Sequence, residues 1–139
     1  MAQTAVHLRT IQGASAAVGW SGPHTLVVDR PKEVGGLGIG FSGGEMMLLA
    51  IGGCYLNDLY REAAKRNVPV KSVQVSVEGD WGGDPVRAQN VSFSVRVEAS
   101  ATKEEILNLI RHTDDVAEIP NSLRLGTPVT LGTVEAVPA

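Results

Sequence analysis

Cys54 is the only cysteine among the 139 residues, and the residues spaced around it decide what it can do. It stands in "SGGEMMLLAIGGCYLNDLY", residues 42–60, the most apolar run of the chain. A thiol there has two readings: a nucleophile that works as the thiolate, or a small apolar residue filling a core. Asn57 and Asp58 follow at three and four positions, a spacing that puts side chains on one helix face. They can polarise a bound molecule or bond across an interface, although the Asp58 charge would oppose a thiolate. Glu45 precedes Cys54 by nine residues, which at about 100° per residue places it on the opposite face. Ser42 and Glu45 instead have the S-x-x-E spacing of a capping box, and capping is the role expected of Glu45.

The remaining candidates carry less. His7, His24 and His112 are far apart, and none has the spacing of a metal site or a catalytic dyad. No metal and no cofactor are expected. Trp20 and Trp81 can line a pocket or pack at an edge. The glycines of "GGLGIGFSGG" are not followed by G-K-S/T, so a phosphate loop is discounted. A net charge of −3 with no basic stripe argues against nucleic acid and against an anionic membrane surface as partners. No apolar run approaches a membrane span, and the N-terminus lacks the basic-then-apolar order of a signal peptide. A cytoplasmic protein is expected, in a compartment where a free thiol survives.

The elements that must position these residues follow from periodicity. "VHLRTIQ", "ASAAVGW" and "HTLVVD" read as short strands separated by Gly13 and "SGP". A helix is predicted from about residue 43 to about residue 66. Its first half is apolar on nearly every side and must be covered on every side, which a second copy across a two-fold axis would do economically. "VKSVQVSVEGDW" and "NVSFSVRVEA" alternate strictly and are joined by "WGGDP", predicting a long antiparallel hairpin with one buried face. "TKEEILNLIRHTDDV" reads as an amphipathic helix capped by Thr102 and Glu105. "EIPNSLRLG" reads as a short helical turn with Pro120 in first position, and "TPVTLGTVEAV" as a closing strand. The order predicts one α+β domain over residues 1–139.

These stretches carry a resemblance. "GWSG", "VVDRPKEVGGLGIGFSGGEMMLLAIGGCYLNDLYREAAKRNVPV", "VSVEGD" and "EEILNLI…AEIPNSLRLGTPVTL" resemble the OsmC/Ohr family, from about residue 15 to the last predicted strand. The resemblance implies an OsmC-like fold: antiparallel sheets with a central apolar helix, in an intertwined homodimer. It also implies a chemistry. In members with the full set of residues, a cysteine on the central helix attacks an organic hydroperoxide and becomes a sulfenic acid. A second cysteine condenses with it to a disulfide, which an external dithiol reduces. An Arg and a Glu near the first cysteine keep it ionised and position the peroxide.

By that resemblance Cys54 matches the peroxidatic position. The second cysteine's position holds Ile119, so no internal disulfide can form. The functional Glu falls on Gly44, one residue before Glu45. The Arg is expected around "GWSGPHT", where His24 stands, with Arg9 and Arg30 flanking the region. Without a cation, a mid-helix thiol should keep an ordinary or raised pKa. Two functions remain open. One is a one-cysteine hydroperoxide reductase with an external thiol reductant; the other is a dimer that holds a small hydrophobic ligand without turnover.

Overall fold

The structure is a computed structural model and describes residues 2–139. The short segments punctuated by Gly13 and Gly22-Pro23 form strands β1 (His7–Thr10), β2 (Ala17–Ser21) and β3 (His24–Val28). They make an antiparallel sheet in the order β1-β2-β3, with His7 opposite Trp20 and Ser21 opposite His24. The glycine-rich stretch after β3 folds back on itself. Leu37 and Ile39 donate their amides to the Asp29 carboxylate at 3.1 and 3.0 Å. These amides, Ile39's foremost, hold the Asp29 carboxyl below its usual pKa. A Cβ at Gly36 would collide with the Arg30 carbonyl, and one at Gly40 with the Val27 carbonyl, so the close backbone approach requires glycine at both. The loop therefore does cradle an anion, and that anion is the chain's own carboxylate.

Helix α1 (Gly43–Lys65) begins with a complete capping box. Glu45 donates its amide to Ser42 Oγ at 3.2 Å, and Ser42 donates its amide to Glu45 Oε1 at 2.9 Å. That amide bond, with help from the Ser42 hydroxyl, lowers the Glu45 pKa. Strands β4 (Val70–Gly82) and β5 (Arg87–Ala99) pair as the predicted hairpin. Val73, Val75, Phe93, Val95 and Val97 are half-buried while the residues between them are exposed. Helix α2 (Lys103–Val116) is capped by Thr102, whose Oγ1 accepts the Glu105 amide at 3.1 Å. Here the Glu105 carboxylate accepts from the Thr102 hydroxyl. Helix α3 spans Glu118–Arg124 and places Pro120 third, not first. Its start moves back because the Glu118 and Ile119 amides find side-chain acceptors on α1.

The predicted closing strand is corrected. Residues 125–139 contain no strand, and Val129 and Leu131 are 98 % and 86 % exposed. An alternating pattern becomes a strand only where a sheet edge accepts its backbone, and among the described residues no edge does.

The chain divides into two compact units. One takes the residues up to Ala50 together with Val77–Ser92; the other takes Ile51–Ser76 and Phe93–Ala139. The second unit holds the larger core: Tyr55, Leu59 and Ala63 of α1 with Val68, Leu109 and Ala117, backed by the half-buried face of the hairpin. The Tyr55 hydroxyl donates to the Ile110 carbonyl at 2.9 Å. Burial, with the Asp114 charge behind it, pushes the phenol pKa up to about 12. In the first unit Ala16 is the buried apolar residue among those described, and Leu8, Leu26 and Leu49 are all about half exposed. Beside them lies an apolar cavity of about 410 Å³, lined by Leu8, Trp20, Leu26, Val28 and Met46, with His24 among its polar lining residues. No helix among the described residues is long and apolar enough to cross a membrane.

Candidate functional site

The second unit gathers Cys54, Asp58 and Arg61 from α1 and Glu118 and Ile119 from α3. Positions 54, 58 and 61 are spaced four and three residues apart, so they share one face of α1. The half-buried Cys54 thiol donates to Asp58 Oδ2 at 3.6 Å, and the Ile119 amide donates to the sulfur at 3.4 Å. Asp58 also accepts the Glu118 amide at 3.4 Å and pairs with Arg61 at 3.1 Å. Arg61 bonds Glu118 at 2.9 Å and Glu62 at 2.9 Å. Glu62, almost fully buried, also takes Lys65 at 3.0 Å and His112 Nε2 at 2.8 Å. A carboxylate can only accept, so His112 carries its proton on Nε2.

The electrostatics are mixed. Burial pushes the Cys54 pKa up and Asp58 adds to the rise, while the Ile119 and Glu118 amides pull it down; the net direction is up. A protonated thiol at neutral pH is therefore the resting form. The Arg61 guanidinium leads Lys65 and His112 in holding Glu62 down at about 2. Sulfur, Asp58 and Glu118 offer ligand atoms within 4.8 Å of one another, and Arg61 pairs with both carboxylates.

Of the residues singled out from the sequence, Cys54 and Asp58 are brought together. Asn57 is exposed one turn beyond Cys54. Glu45, His24, Arg9 and Arg30 belong to the first unit, where Glu45 caps α1, His24 lines the cavity, and Arg9 and Arg30 are exposed. On the Cys54 face of α1 the structure adds Arg61, with its guanidinium on Asp58. The signal for it was the i, i+4, i+7 stripe of Cys54, Asp58 and Arg61. At Gly44, a Cβ would lie 2.7 Å from the Trp81 indole, so a side chain could enter only by displacing that ring.

The family of OsmC-like proteins matches residues 35–132, which covers the glycine loop, α1, the hairpin and both later helices. The chain belongs to that family. Solved OsmC-like structures agree on the fold. An OsmC-like protein from Mycoplasma pneumoniae is 16 % identical, with 88 % of each chain covered and a TM-score of 0.77. An OsmC-like protein of unknown function from Vibrio cholerae is 14 % identical, covers 88 % of this chain and 94 % of its own, and has a TM-score of 0.76. An organic hydroperoxide resistance protein OsmC from Legionella pneumophila is 15 % identical, covers 89 % and 90 %, and has a TM-score of 0.65. No curated protein matches the sequence. The α+β architecture of this OsmC-like chain is that of these structures.

One prediction arises from the OsmC-like chain's thiol alone. With the Cys54 pKa raised, alkylation by iodoacetamide should be slow at neutral pH and accelerate only beyond the usual thiol value of 9.0. Asp58→Asn removes a charge that disfavours the thiolate, so the rate profile should move to lower pH, with a severalfold faster rate at neutral pH. A series of alkylation rates against pH, followed by intact mass, checks both. An unmoved profile in the variant would remove Asp58 from the electrostatics of the sulfur.

Proposed function

We propose that the chain is a one-cysteine, thiol-dependent organic hydroperoxide reductase acting through Cys54. The sulfur attacks one peroxide oxygen; the S–O bond forms as the O–O bond breaks, and the departing alkoxide takes up the thiol proton. Cys54 is oxidised to a sulfenic acid and the peroxide is reduced to an alcohol. An external thiol then displaces water to give a mixed disulfide, and a second thiol releases Cys54. The observation that carries this reading is the Ile119 amide, aimed at the sulfur from 3.4 Å, where it stabilises negative charge as the thiolate forms. The hydroperoxide resistance named for the Legionella pneumophila relative supports the substrate class. A homodimer, a single OsmC-like domain and a cytoplasmic setting belong to the same proposal. The exposed apolar face of β1–β3 and α1's Leu49 support the homodimer.

The test is consumption of tert-butyl hydroperoxide with dithiothreitol as reductant, with dimedone trapping in a parallel sample. One dimedone adduct per chain, located at Cys54, is expected, and Cys54→Ser should consume peroxide no faster than buffer. Absence of the adduct, or equal consumption by the variant, would sink the proposal.

A second reading has its own support. The cavity of about 410 Å³ in the first unit falls within the size range of small-molecule sites, and its lining is almost wholly apolar. It favours a small hydrophobic ligand held without turnover.

A further inference from the structure

The sulfur of Cys54 lies 3.4 Å from a nitrogen that no other cysteine competes with: the backbone amide of Ile119, sixty-five residues away in sequence. Both atoms are held. Cys54 sits mid-helix in α1, bonded to Asp58, which also accepts the neighbouring Glu118 amide at 3.4 Å. Arg61 ties Asp58 and Glu118 together, so the start of α3 is fixed against the face of α1 that carries the thiol. The spacing is that of reacting atoms poised for bond formation. The direction is right as well. The amide N–H points at the sulfur, so the in-plane electron pair left when that proton departs points along the same line.

A sulfenic acid can condense with a thiol to give a disulfide or with a backbone nitrogen to give a sulfenamide. Within this chain only the second partner is present. We infer that oxidised Cys54 closes onto the Ile119 nitrogen as an intramolecular sulfenamide, which takes the place of the resolving disulfide. This inference rests on the proposed peroxide chemistry and names how the same site is protected and recycled.

The step balances without a further oxidant. The S–N bond forms, the S–O bond breaks, and the hydroxyl leaves with the amide proton as water, while the sulfur keeps its oxidation level. Asp58 Oδ2, 3.6 Å from the sulfur, is placed to pass that proton. Reopening uses the external thiol. Its sulfur forms an S–S bond with Cys54, the S–N bond breaks, and the thiol proton returns to the nitrogen. A second thiol then releases Cys54 and leaves as the oxidised disulfide. While closed, the sulfur cannot proceed to the sulfinic acid.

Because the chain has one cysteine, intact mass reads the outcome directly. One equivalent of tert-butyl hydroperoxide, with no reductant and no trap, is expected to give a species about 2 Da lighter than the reduced chain. Trypsin should then yield the peptide Glu33–Arg61 joined to His112–Arg124, and excess dithiothreitol should separate them. Ile119→Pro removes the N–H at a first-turn position that tolerates proline, and should send Cys54 to species about 16 and 32 Da heavier. If that variant does not fold, the linked tryptic pair from the unaltered chain still decides. Heavier species without the lighter one, or Cys54 linked to a second chain, would overturn the sulfenamide and leave peroxide reduction standing. An unchanged mass would overturn both.

Discussion

Leu59→Ala is expected to cost the second unit about 2–5 kcal/mol, the range for emptying a leucine-sized volume in a packed core. Leu59 is fully buried on α1, between Tyr55 and Ala63 in the run of the helix and in one cluster with Val68 and Leu109. The neighbours cannot close over the gap easily. Tyr55 is pinned by its bond to the Ile110 carbonyl and by its tilted packing on Phe93, with ring centroids 4.9 Å apart. Urea titration followed by far-UV circular dichroism checks the result: the midpoint should fall while the slope stays the same. A loss below about 1 kcal/mol would mean that the core relaxes into the space, contrary to this packing.

The second large effect is on acid stability. Glu62 ionises at about 2 in the folded chain against 4.5 for the unperturbed carboxyl. Between those values the unfolded chain binds the proton and the folded one does not, so acid favours unfolding. The Glu62 contribution is whole above pH 4.5 and disappears as the pH falls towards about 2. Glu62→Gln keeps the shape but gives up the charge that Arg61, Lys65 and His112 share. The variant should be less stable than the parent at pH 7, and the gap should narrow steadily below pH 4.5. Urea midpoints from pH 7 down to the acid limit measure that gap. A gap independent of pH would show that Glu62 acts by packing rather than by charge. Asp29 and Glu45, also lowered, add acid sensitivity of the same sign, which the difference between the two proteins cancels.

Much of this architecture was legible because local patterns coincide with what the fold needs. The capping box at Ser42 and Glu45 announced the start of α1, and the alternating valines of β4 and β5 announced the hairpin. The tail was misread because alternation reports a preference, whereas a strand also needs a partner edge, which no sequence window contains. At the site, the sequence located Cys54 and warned of Asp58. It did not single out Arg61, which pairs with Asp58 one turn of helix further on. The Ile119 amide could not have been found, because the backbone has no letter of its own. Only the meeting of α3 with α1 reveals that a position coded as an apolar side chain delivers a polar group to the sulfur.

The loop between β3 and α1 contains one short turn of 3-10 helix, with no buried residue in it, yet it is ordered around Asp29. A glycine loop that seats a free phosphate is stabilised by it only to the extent that the solute's concentration exceeds its dissociation constant. Here the guest is tethered. It has no dissociation constant to fall below, and dilution cannot empty the seat. The order of this segment is therefore written into the covalent chain, and the approach to α1 keeps its shape whatever anions the surroundings hold.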